Sequence, residues 1–355
     1  MRFMSNLSSH PHTIHLALSP WDLTDDYNRH AGVTLLSFLD HCSKDTHVVA
    51  HLLYDAKLSL GKEQETEYNK SCYRKIAEQY NGTVIFHPVE LPEWIDDVPA
   101  VKIWTPGTLL RLCLPGLLPD VDKIIYVDCD MVIAADMETL WNIPLGEKYL
   151  AAVPDSAVPN FGRKRRNYCK RKNILLDGYF CAGTLVLNLK KLREGPKKFE
   201  DVVFGYLKEN RDLPCLDQDI LNWFCQGNYL PLEEKYNIYT GRADALQFID
   251  DGILHYAGKA KPWKRYGGRI DDLYWKYLVL TPWAEDRGQL VRYVRVAPDI
   301  VQCFSNILAY YHYQDGLGYP AIAGKMMKLS LRLPVEIVKG FFLFVVARLR
   351  RLGIL

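Results

Sequence analysis

The sequence predicts an α/β fold: a parallel or mixed β-sheet with helices on both faces. Short β-rich runs alternate with longer helical stretches along the chain, as is typical of this class. Residues 123–127 form a nearly continuous apolar run, which favours a central strand buried on both faces. With 355 residues, 48% of them hydrophobic, the chain can bury a substantial core, so we expect one large domain with an appendage.

The alternation gives a definite set of expected elements in the first third of the chain. The predicted strands are residues 13–18, 47–54, 83–86 and 123–127. The predicted helices are residues 31–42, 62–80 and 108–114, the last ended by Pro115-Gly116. In open α/β sheets ligands bind beyond the carboxyl ends of strands. The acidic residues directly after Val127 therefore fall where a site is expected.

Composition narrows the classes of protein. A formal net charge of +2 is too small for the chain as a whole to attract nucleic acid electrostatically, so we expect no nucleic-acid partner. Nine cysteines without a C-x-x-C pair match neither a zinc ribbon nor a disulfide framework, and a reducing cytosol is the expected compartment. Residues 1–15 lack a charged segment followed by an apolar run, so neither a signal peptide nor an amino-terminal anchor is expected.

Asp128-Cys129-Asp130 is the first candidate for a metal site, because two carboxylates at a strand end can converge on one hard cation. The chain contains two further triplets of this kind, starting at Asp120 and Asp217, so the pattern alone is weak. Only Asp128 and Asp130 follow a predicted buried strand. The alternative is that these are turn carboxylates that cap a helix at residues 136–140.

His255 is the candidate for a third ligand. A histidine beside two carboxylates moves the preferred metal from Mg²⁺ towards Mn²⁺. The alternative is a histidine at a strand end that bonds a backbone carbonyl. Gly258 and Lys261 follow closely, and they favour the metal interpretation: glycine lets backbone approach a phosphate, and lysine can place its ammonium on the same diphosphate.

Four blocks in this order resemble the retaining glycosyltransferases of family eight, which include bacterial lipopolysaccharide galactosyl- and glucosyltransferases and the glycogenins. The resemblance covers about residues 13–263. The blocks are Arg111 through Asp130 with its Lys-Ile-Ile-Tyr-Val-Asp-Cys-Asp ending, Gly178-Tyr-Phe-Cys-Ala-Gly-Thr-Leu-Val-Leu-Asn188, Leu216-Asp-Gln-Asp-Ile-Leu-Asn222, and His255-Tyr-Ala-Gly-Lys-Ala-Lys-Pro-Trp263.

The resemblance implies a GT-A type fold with a Rossmann-like nucleotide-binding sheet, a UDP-sugar donor and a divalent cation, Mn²⁺ with Mg²⁺ as the alternative. It implies that Asp128, Asp130 and His255 are the metal ligands. Asp217 and Gln218 would lie beside the anomeric carbon as the catalytic residues. The implied donor-binding residues are Ala17, Tyr27, Arg111, Asp128, Cys129, Asp155, Cys181, Ala182, Gly258 and Lys261.

Two positions depart from the family pattern. Cys181 stands where the family usually has an asparagine that contacts the donor sugar, and a thiol is a poor hydrogen-bond donor, so the preferred hexose is open. The loop at residues 19–27 is longer than the family's acidic segment. We expect Tyr27 to stack on the base and Asp25 or Asp26 to contact the ribose. The alternative is a surface loop that caps the next helix.

Residues 163–172 hold seven lysines and arginines. Such a run is most often a solvated surface, but its place between Asp155 and Cys181 also suits a phosphorylated acceptor or an anionic membrane surface. We expect a catalytic domain at residues 1–283 and a helical, basic and aromatic region at residues 284–355. Within residues 334–355, the apolar run at 341–346 before Arg348, Arg350 and Arg351 is too short to span a bilayer and favours a helix in the membrane plane. The alternative is a helix docked on the catalytic domain.

Together these features predict a metal-dependent retaining transferase that moves glucose or galactose from UDP to a glycan or glycolipid acceptor. Lipopolysaccharide or surface polysaccharide synthesis at the cytoplasmic face of the membrane is the expected setting. Two alternatives are a membrane-associated nucleotide-sugar-binding protein without transfer activity and a sugar-nucleotide pyrophosphorylase. The pyrophosphorylase normally has a glycine-rich loop after the first strand, and residues 19–26 contain no glycine.

Overall fold

The computed structural model describes residues 12–21, 27–59, 63–258, 261–263 and 269–285. Its main element is a seven-stranded sheet of order β3-β2-β1-β4-β7-β6-β8. Strands β1 to β4 run parallel, and β7 is antiparallel to both neighbours. The strands are β1 Thr13–Leu18, β2 His47–Asp55, β3 Gly82–Val89, β4 Lys123–Val127, β5 Met131–Ile133, β6 Leu150–Pro154, β7 Phe180–Asn188, β8 Leu230–Pro231, β9 Ile238–Tyr239 and β10 Ile253–His255.

Helices flank this sheet. In the described residues they are α1 Tyr27–Asp40, α2 Glu63–Glu78, α3 Val101–Trp104, α4 Leu114–Leu117, α5 Met137–Trp141, α6 Arg163–Arg171, α7 Leu189–Arg193, α8 Phe199–Glu209, α9 Leu216–Cys225 and α10 Arg269–Leu278. Short 3₁₀ helices lie between them, among them Pro106–Cys113. No helix in the described part of the chain is long and apolar enough to cross a membrane.

Successive residues of a strand point to opposite faces of the main sheet and pack into the core on each face. Ala17 belongs to a buried cluster with Leu110, Leu185 and Leu221, which brings Pro106–Cys113 and α9 against the sheet. Its neighbours Leu16 and Leu18 are fully buried outside that cluster, as the twofold repeat of a strand requires. The α/β class and the parallel-rich sheet are therefore confirmed.

A smaller sheet of order β5-β10-β9 lies next to the carboxyl end of β4. β10 runs antiparallel to β5, with His255 opposite Met131. It runs parallel to β9, with His255 opposite Tyr239. This sheet ties a segment late in the chain to the turn that follows β4.

Most of the expected elements are present with small shifts at their ends. The strands at 13–18 and 123–127 match, β2 and β3 are longer than expected, and α1 begins at Tyr27 rather than residue 31. β3 continues through Pro88, which is tolerated because β3 is an edge strand.

The helix expected at residues 108–114 is present as a 3₁₀ helix, but its expected end at Pro115-Gly116 is wrong. The chain forms a 3₁₀ helix that ends at Cys113 and then the short helix α4, whose first turn contains Pro115. Proline has no N–H to donate to a carbonyl four residues earlier, but it is accepted in the first turn of a helix. Pro115 therefore separates two helices instead of ending one. The predicted appendage at residues 284–355 lies almost wholly outside the described residues.

Candidate active site

The candidate site lies where the strand order of the main sheet reverses. The chain builds β1, β2 and β3 in one direction and then adds β4 on the other side of β1. The carboxyl ends of β1 and β4 consequently flank a crevice, the usual ligand position in such sheets. Ser19 Oγ after β1 lies 2.7 Å from Tyr126 Oη in β4, which joins the two strand ends.

Asp128, Asp130 and His255 meet in this crevice. Each offers one ligand atom, and the three atoms lie within 4.8 Å of one another. His255 Nε2 is 3.7 Å from Asp128 Oδ2 and 3.4 Å from Asp130 Oδ1. The Tyr256 N–H donates to the Asp130 carbonyl at 3.0 Å, so backbone pairing fixes the histidine beside the carboxylates. Two carboxylate oxygens and an imidazole nitrogen are a donor set that suits Mn²⁺.

The ring of His255 is oriented by a residue that sequence reasoning missed. Its Nδ1 lies 2.9 Å from Asn237 Oδ1. An amide oxygen only accepts, so Nδ1 carries the proton and Nε2 presents its lone pair to the carboxylates. The expected alternative, a histidine satisfied by a backbone carbonyl, does not describe this ring. The Asn-Ile-Tyr run before β10 carried no signal that we could interpret from sequence alone.

Gly183 in β7 was also missed, although it lies within one of the quoted blocks. A Cβ at this position would lie 2.7 Å from His255 Cε1 and 2.7 Å from Met131 Cε. Distances this short require a shift, and the neighbours belong to the paired strands β5 and β10 of the smaller sheet. Gly183 therefore makes room for the imidazole, and its carbonyl accepts from the Asp128 N–H at 2.8 Å.

The alternative role of Asp128 and Asp130 as helix caps is excluded by the next helix. The N-cap of α5 is Asp136, whose side chain accepts from the Glu138 N–H at 3.0 Å. Asp128 and Asp130 instead keep their carboxylates in the crevice, with side chains 25% and 12% exposed.

Cations already neutralise these carboxylates. Lys261 donates to Asp130 Oδ2 and, at 2.5 Å, to the carbonyl of Tyr256. Burial acts to raise the pKa of Asp130, but the neighbouring His255 and Lys261 outweigh it and lower that pKa. Gly258 adopts a left-handed φ of 75° in open space, so its backbone conformation rather than crowding explains the glycine.

Arg111 is buried between two acidic groups. Its Nη2 is 2.6 Å from Asp128 Oδ1, its Nε is 3.3 Å from Asp217 Oδ2, and Nη1 donates to the Ala182 carbonyl at 2.5 Å. The guanidinium lies 4.1 Å from the centre of the Tyr126 ring. Burial raises the pKa of Asp217 to about 6, with Arg111 opposing and Asp128 adding to the rise. Arg111 thus links the candidate metal site to the start of α9.

Asp155 and Gln218 are joined directly. Gln218 Nε2 donates to Asp155 Oδ2 at 3.0 Å, and Gln218 Oε1 accepts from the Ala182 N–H at 3.1 Å. Tyr179 Oη lies 3.3 Å from Gln218 Nε2 and donates to Asp219 Oδ1 at 2.7 Å. The fold therefore brings the predicted catalytic amide, the predicted donor-sugar carboxylate and the β7 backbone into one network.

Cys181 lies inside this network. Its Sγ is 3.1 Å from Tyr239 Oη, and burial raises the pKa of the thiol to about 12, so it stays protonated at neutral pH. The Tyr239 ring in turn lies 5.3 Å from the His255 ring. Tyr239 thus places a hydroxyl beside Cys181, where the family usually has the amide of an asparagine. The sequence did not indicate Tyr239 as a site residue.

Three remaining predicted residues lie at the same crevice. Ala17 is fully buried and pairs with Tyr126 across β1 and β4, and Cys129 is buried between the two aspartates. Tyr27 Oη donates to Asp130 Oδ2 at 3.4 Å. Stacking of Tyr27 on a base stays a prediction. Asp25 and Asp26 lie outside the described residues.

Residues 21–267 match the family model described as glycosyl transferase family 8. The match covers more than half of the chain, so the protein belongs to this family of glycosyltransferases.

Similar proteins agree with this membership. The chain is 26% identical over 269 residues to the lipopolysaccharide 1,2-glucosyltransferase of Escherichia coli, covering 70% of this chain and 76% of that one. It is 28% identical over 201 residues to the glycosyltransferase GlyE of Streptococcus pneumoniae, covering 53% of this chain and 44% of that one. A glycosyltransferase of Haemophilus influenzae is matched over 61% of its length. The chain thus spans only about half of the lengths of these last two relatives.

Among solved structures, the galactosyltransferase LgtC in complex with donor and acceptor sugar analogues superposes with a TM-score of 0.58 at 23% identity. The match covers 74% of this chain and 95% of LgtC. At this identity the likeness shows the fold alone, and it confirms the expected GT-A type architecture.

Proposed function

We propose that this protein transfers glucose or galactose from a UDP-sugar to a hydroxyl of a glycan or glycolipid, with retention of the anomeric configuration. The transfer uses a divalent cation, Mn²⁺ in preference to Mg²⁺. The observation that carries the proposal is the convergence of Asp128, Asp130 and His255 within 4.8 Å at the sheet's switch point. When bound there, the cation would supply positive charge next to the departing diphosphate.

The chain's own cations fit the same task. Breaking the sugar–phosphate bond leaves negative charge on the diphosphate, and Lys261 is held by Asp130 at the edge of the site. Its four-carbon stem lets the ammonium turn from the carboxylate to a phosphate oxygen. Stabilising the leaving group in this way requires no general acid.

Asp217 and Gln218 are proposed to act at the sugar. Gln218 is an uncharged amide and a poor nucleophile, which favours attack from the face that the diphosphate leaves, with a diphosphate oxygen accepting the proton of the acceptor. Asp217 would orient the hydroxyl or stabilise the positive charge that develops at the anomeric carbon. Arg111 holds the Asp217 carboxylate at 3.3 Å and is a positioning residue in this scheme.

Asp155, Cys181 and Tyr239 are proposed to contact the transferred hexose. Asp155 Oδ2 is already engaged by Gln218, so a bound sugar would find the two side chains preset relative to each other. The hydroxyl of Tyr239 beside Cys181 offers the hydrogen bonding that the thiol lacks.

The acceptor and the setting are proposed from the relatives and the sequence. Lipopolysaccharide or another surface polysaccharide is the preferred destination, since the matched Escherichia coli relative is a lipopolysaccharide glucosyltransferase. We further propose a cytoplasmic location at an anionic membrane surface, through residues 334–355. Deleting those residues should release the protein from anionic vesicles in a sedimentation assay, and unchanged sedimentation would remove this part of the proposal.

The test of activity is incubation of the full chain with UDP-glucose or UDP-galactose and Mn²⁺. Slow release of UDP, dependent on the metal and faster for one hexose, is the expected result even without an acceptor. Binding of the donor without UDP release would favour a nucleotide-sugar-binding protein. Formation of UTP and hexose 1-phosphate on addition of pyrophosphate would favour a pyrophosphorylase.

A further inference from the structure

Helix α6 carries a concentration of positive charge that the proposed transfer reaction does not use. Seven of the chain's 44 lysines and arginines lie within residues 163–172, which contain no acidic residue, although the whole chain has a net charge of only +2. The positive field is therefore local to this helix.

Two of these cations hold the helix in place. Arg165 Nη2 lies 2.5 Å from Asp219 Oδ1, and Lys172 Nζ lies 2.7 Å from Asp212 Oδ1. A third, Arg166, donates to the backbone carbonyls of Val158, Pro159 and Phe161, which fixes the loop before the helix but leaves its charge unneutralised. These residues are structural.

The remaining cations face solvent. Arg163, Lys164, Lys170 and Arg171 are exposed, and no carboxylate in the described part of the chain lies within 4.0 Å of them. The Arg171 guanidinium lies 5.7 Å from the centre of the Tyr168 ring, so Arg163, Lys164 and Lys170 are the candidates for binding a ligand. Every exposed side chain of α6 is polar, while Cys169 is buried. A helix that inserts into a membrane interface needs an apolar face towards the lipid, and α6 turns its apolar side to the protein.

Helix α6 is attached to the residues that we assign to the transferred sugar. Asp219, the partner of Arg165, follows Gln218 directly in α9, and Tyr179 contacts Arg165 at 3.2 Å and Gln218 at 3.3 Å. The loop into α6 starts at Asp155, which accepts from Gln218. The exposed cations thus lie on a helix whose inner side contacts residues next to Gln218.

We propose that α6 binds a phosphate group carried by the acceptor glycan. The proposal rests on the transferase function and names the class of its acceptor. A phosphate presents two charges and three acceptor oxygens. Arg163 and Lys170 are seven residues apart and so lie on one side of the helix, with Lys164 next to Arg163. Arg163, Lys164 and Lys170 would hold the phosphate and so place the neighbouring sugar hydroxyl near Asp217.

The test compares lactose with lactose phosphorylated at O6 of its galactose, by titration calorimetry with Mn²⁺ and UDP present. The wild type should bind the phosphorylated sugar about tenfold more tightly, as expected for three exposed ion pairs. The triple variant Arg163→Gln, Lys164→Gln, Lys170→Gln should lose this preference. The matched control Lys190→Gln, Lys197→Gln, Lys208→Gln removes the same charge from exposed positions elsewhere and should retain it.

Equal affinity of the wild type for the two sugars would overturn the proposal. So would a triple variant that keeps the preference. If instead the triple variant lost only its binding to phosphatidylglycerol vesicles, α6 would be a membrane contact and the proposal would be wrong. Acceptor-independent UDP release does not involve α6 and should be the same in all three proteins. Its absence from the wild type would count against the transferase function itself.

Discussion

Asp128-Cys129-Asp130 and Asp217-Gln218-Asp219 are the same kind of triplet in two settings. The first follows a strand, and its two carboxylates meet His255 at one point. The second begins a helix, where residues two apart point in different directions: Asp217 contacts Arg111 and Asp219 contacts Arg165. A third triplet, Asp120-Val121-Asp122, lies in an exposed turn.

The difference shows that backbone geometry, not the pair of carboxylates, decides the chemistry. After β4 the turn brings both side chains into one crevice, which two carboxylates can share only with a cation. On α9 the two carboxylates are buried against different arginines, Asp217 against Arg111, which Asp128 also contacts, and Asp219 against Arg165. The two triplets should therefore respond differently to the same conservative substitution.

The largest effect is expected at the first triplet. Asp128→Asn or Asp130→Asn removes a proposed metal ligand and should lower metal-dependent UDP release about 100-fold or more, by analogy with the loss of one stabilising group at a developing charge. Asp122→Asn, in the exposed turn, should stay within about twofold. Equal losses in all three variants would mean that the position after β4 has no special role.

The second triplet should divide into a catalytic and a structural half. Asp217→Asn should lower turnover much more than donor affinity, measured as kcat against KM. Asp219→Asn leaves Arg165 without its buried partner and should instead cost about 3 kcal/mol, seen as a lower unfolding temperature. An Asp217→Asn enzyme with normal turnover would remove Asp217 from the mechanism.

The raised pKa of Asp217 adds a pH signature to this division. Since its pKa is about 6, the carboxyl is ionised above that pH and becomes protonated as the pH falls through it. If the ionised form acts, turnover should decline below about pH 6 in the wild type. The residual turnover of Asp217→Asn should not decline below about pH 6 in this way. A variant that still showed the decline would indicate that another group titrates.

A smaller effect is expected from the residues that orient His255. Asn237→Ala or Gly183→Ala should weaken Mn²⁺ binding about tenfold, because the imidazole would lose its partner or its space. Gly205→Ala on α8, where a Cβ would meet nothing within 4 Å, is the control for the glycine. Titration calorimetry separates these cases, and unchanged affinity in both variants would show that His255 is not a ligand.

Much of this site was readable from sequence because its parts are local. Local sequence patterns predict the strand before Asp128, the strand with Cys181 and the helix that begins near Asp217. The order of the four blocks indicated the family. His255 lies 125 positions after Asp130, so no local pattern joins them, and it was proposed from the nearby Gly258 and Lys261 and from the resemblance.

The residues that were missed act across strands. Asn237, Gly183 and Tyr239 matter because β9, β10 and β7 bring them against His255 or Cys181, and no spacing along the chain reveals that pairing. The end of the helix expected at residues 108–114 was wrong for a local reason, because Pro115 was treated as an end rather than as part of the first turn of the next helix.

The most direct test of the account is a crystal structure of the full chain with Mn²⁺ and UDP, with the metal located by anomalous scattering. We expect one strong peak at bonding distance, about 2.2 Å, from a carboxylate oxygen of Asp128, one of Asp130 and Nε2 of His255. A peak elsewhere, or a nucleotide bound with these three side chains unligated, would contradict it.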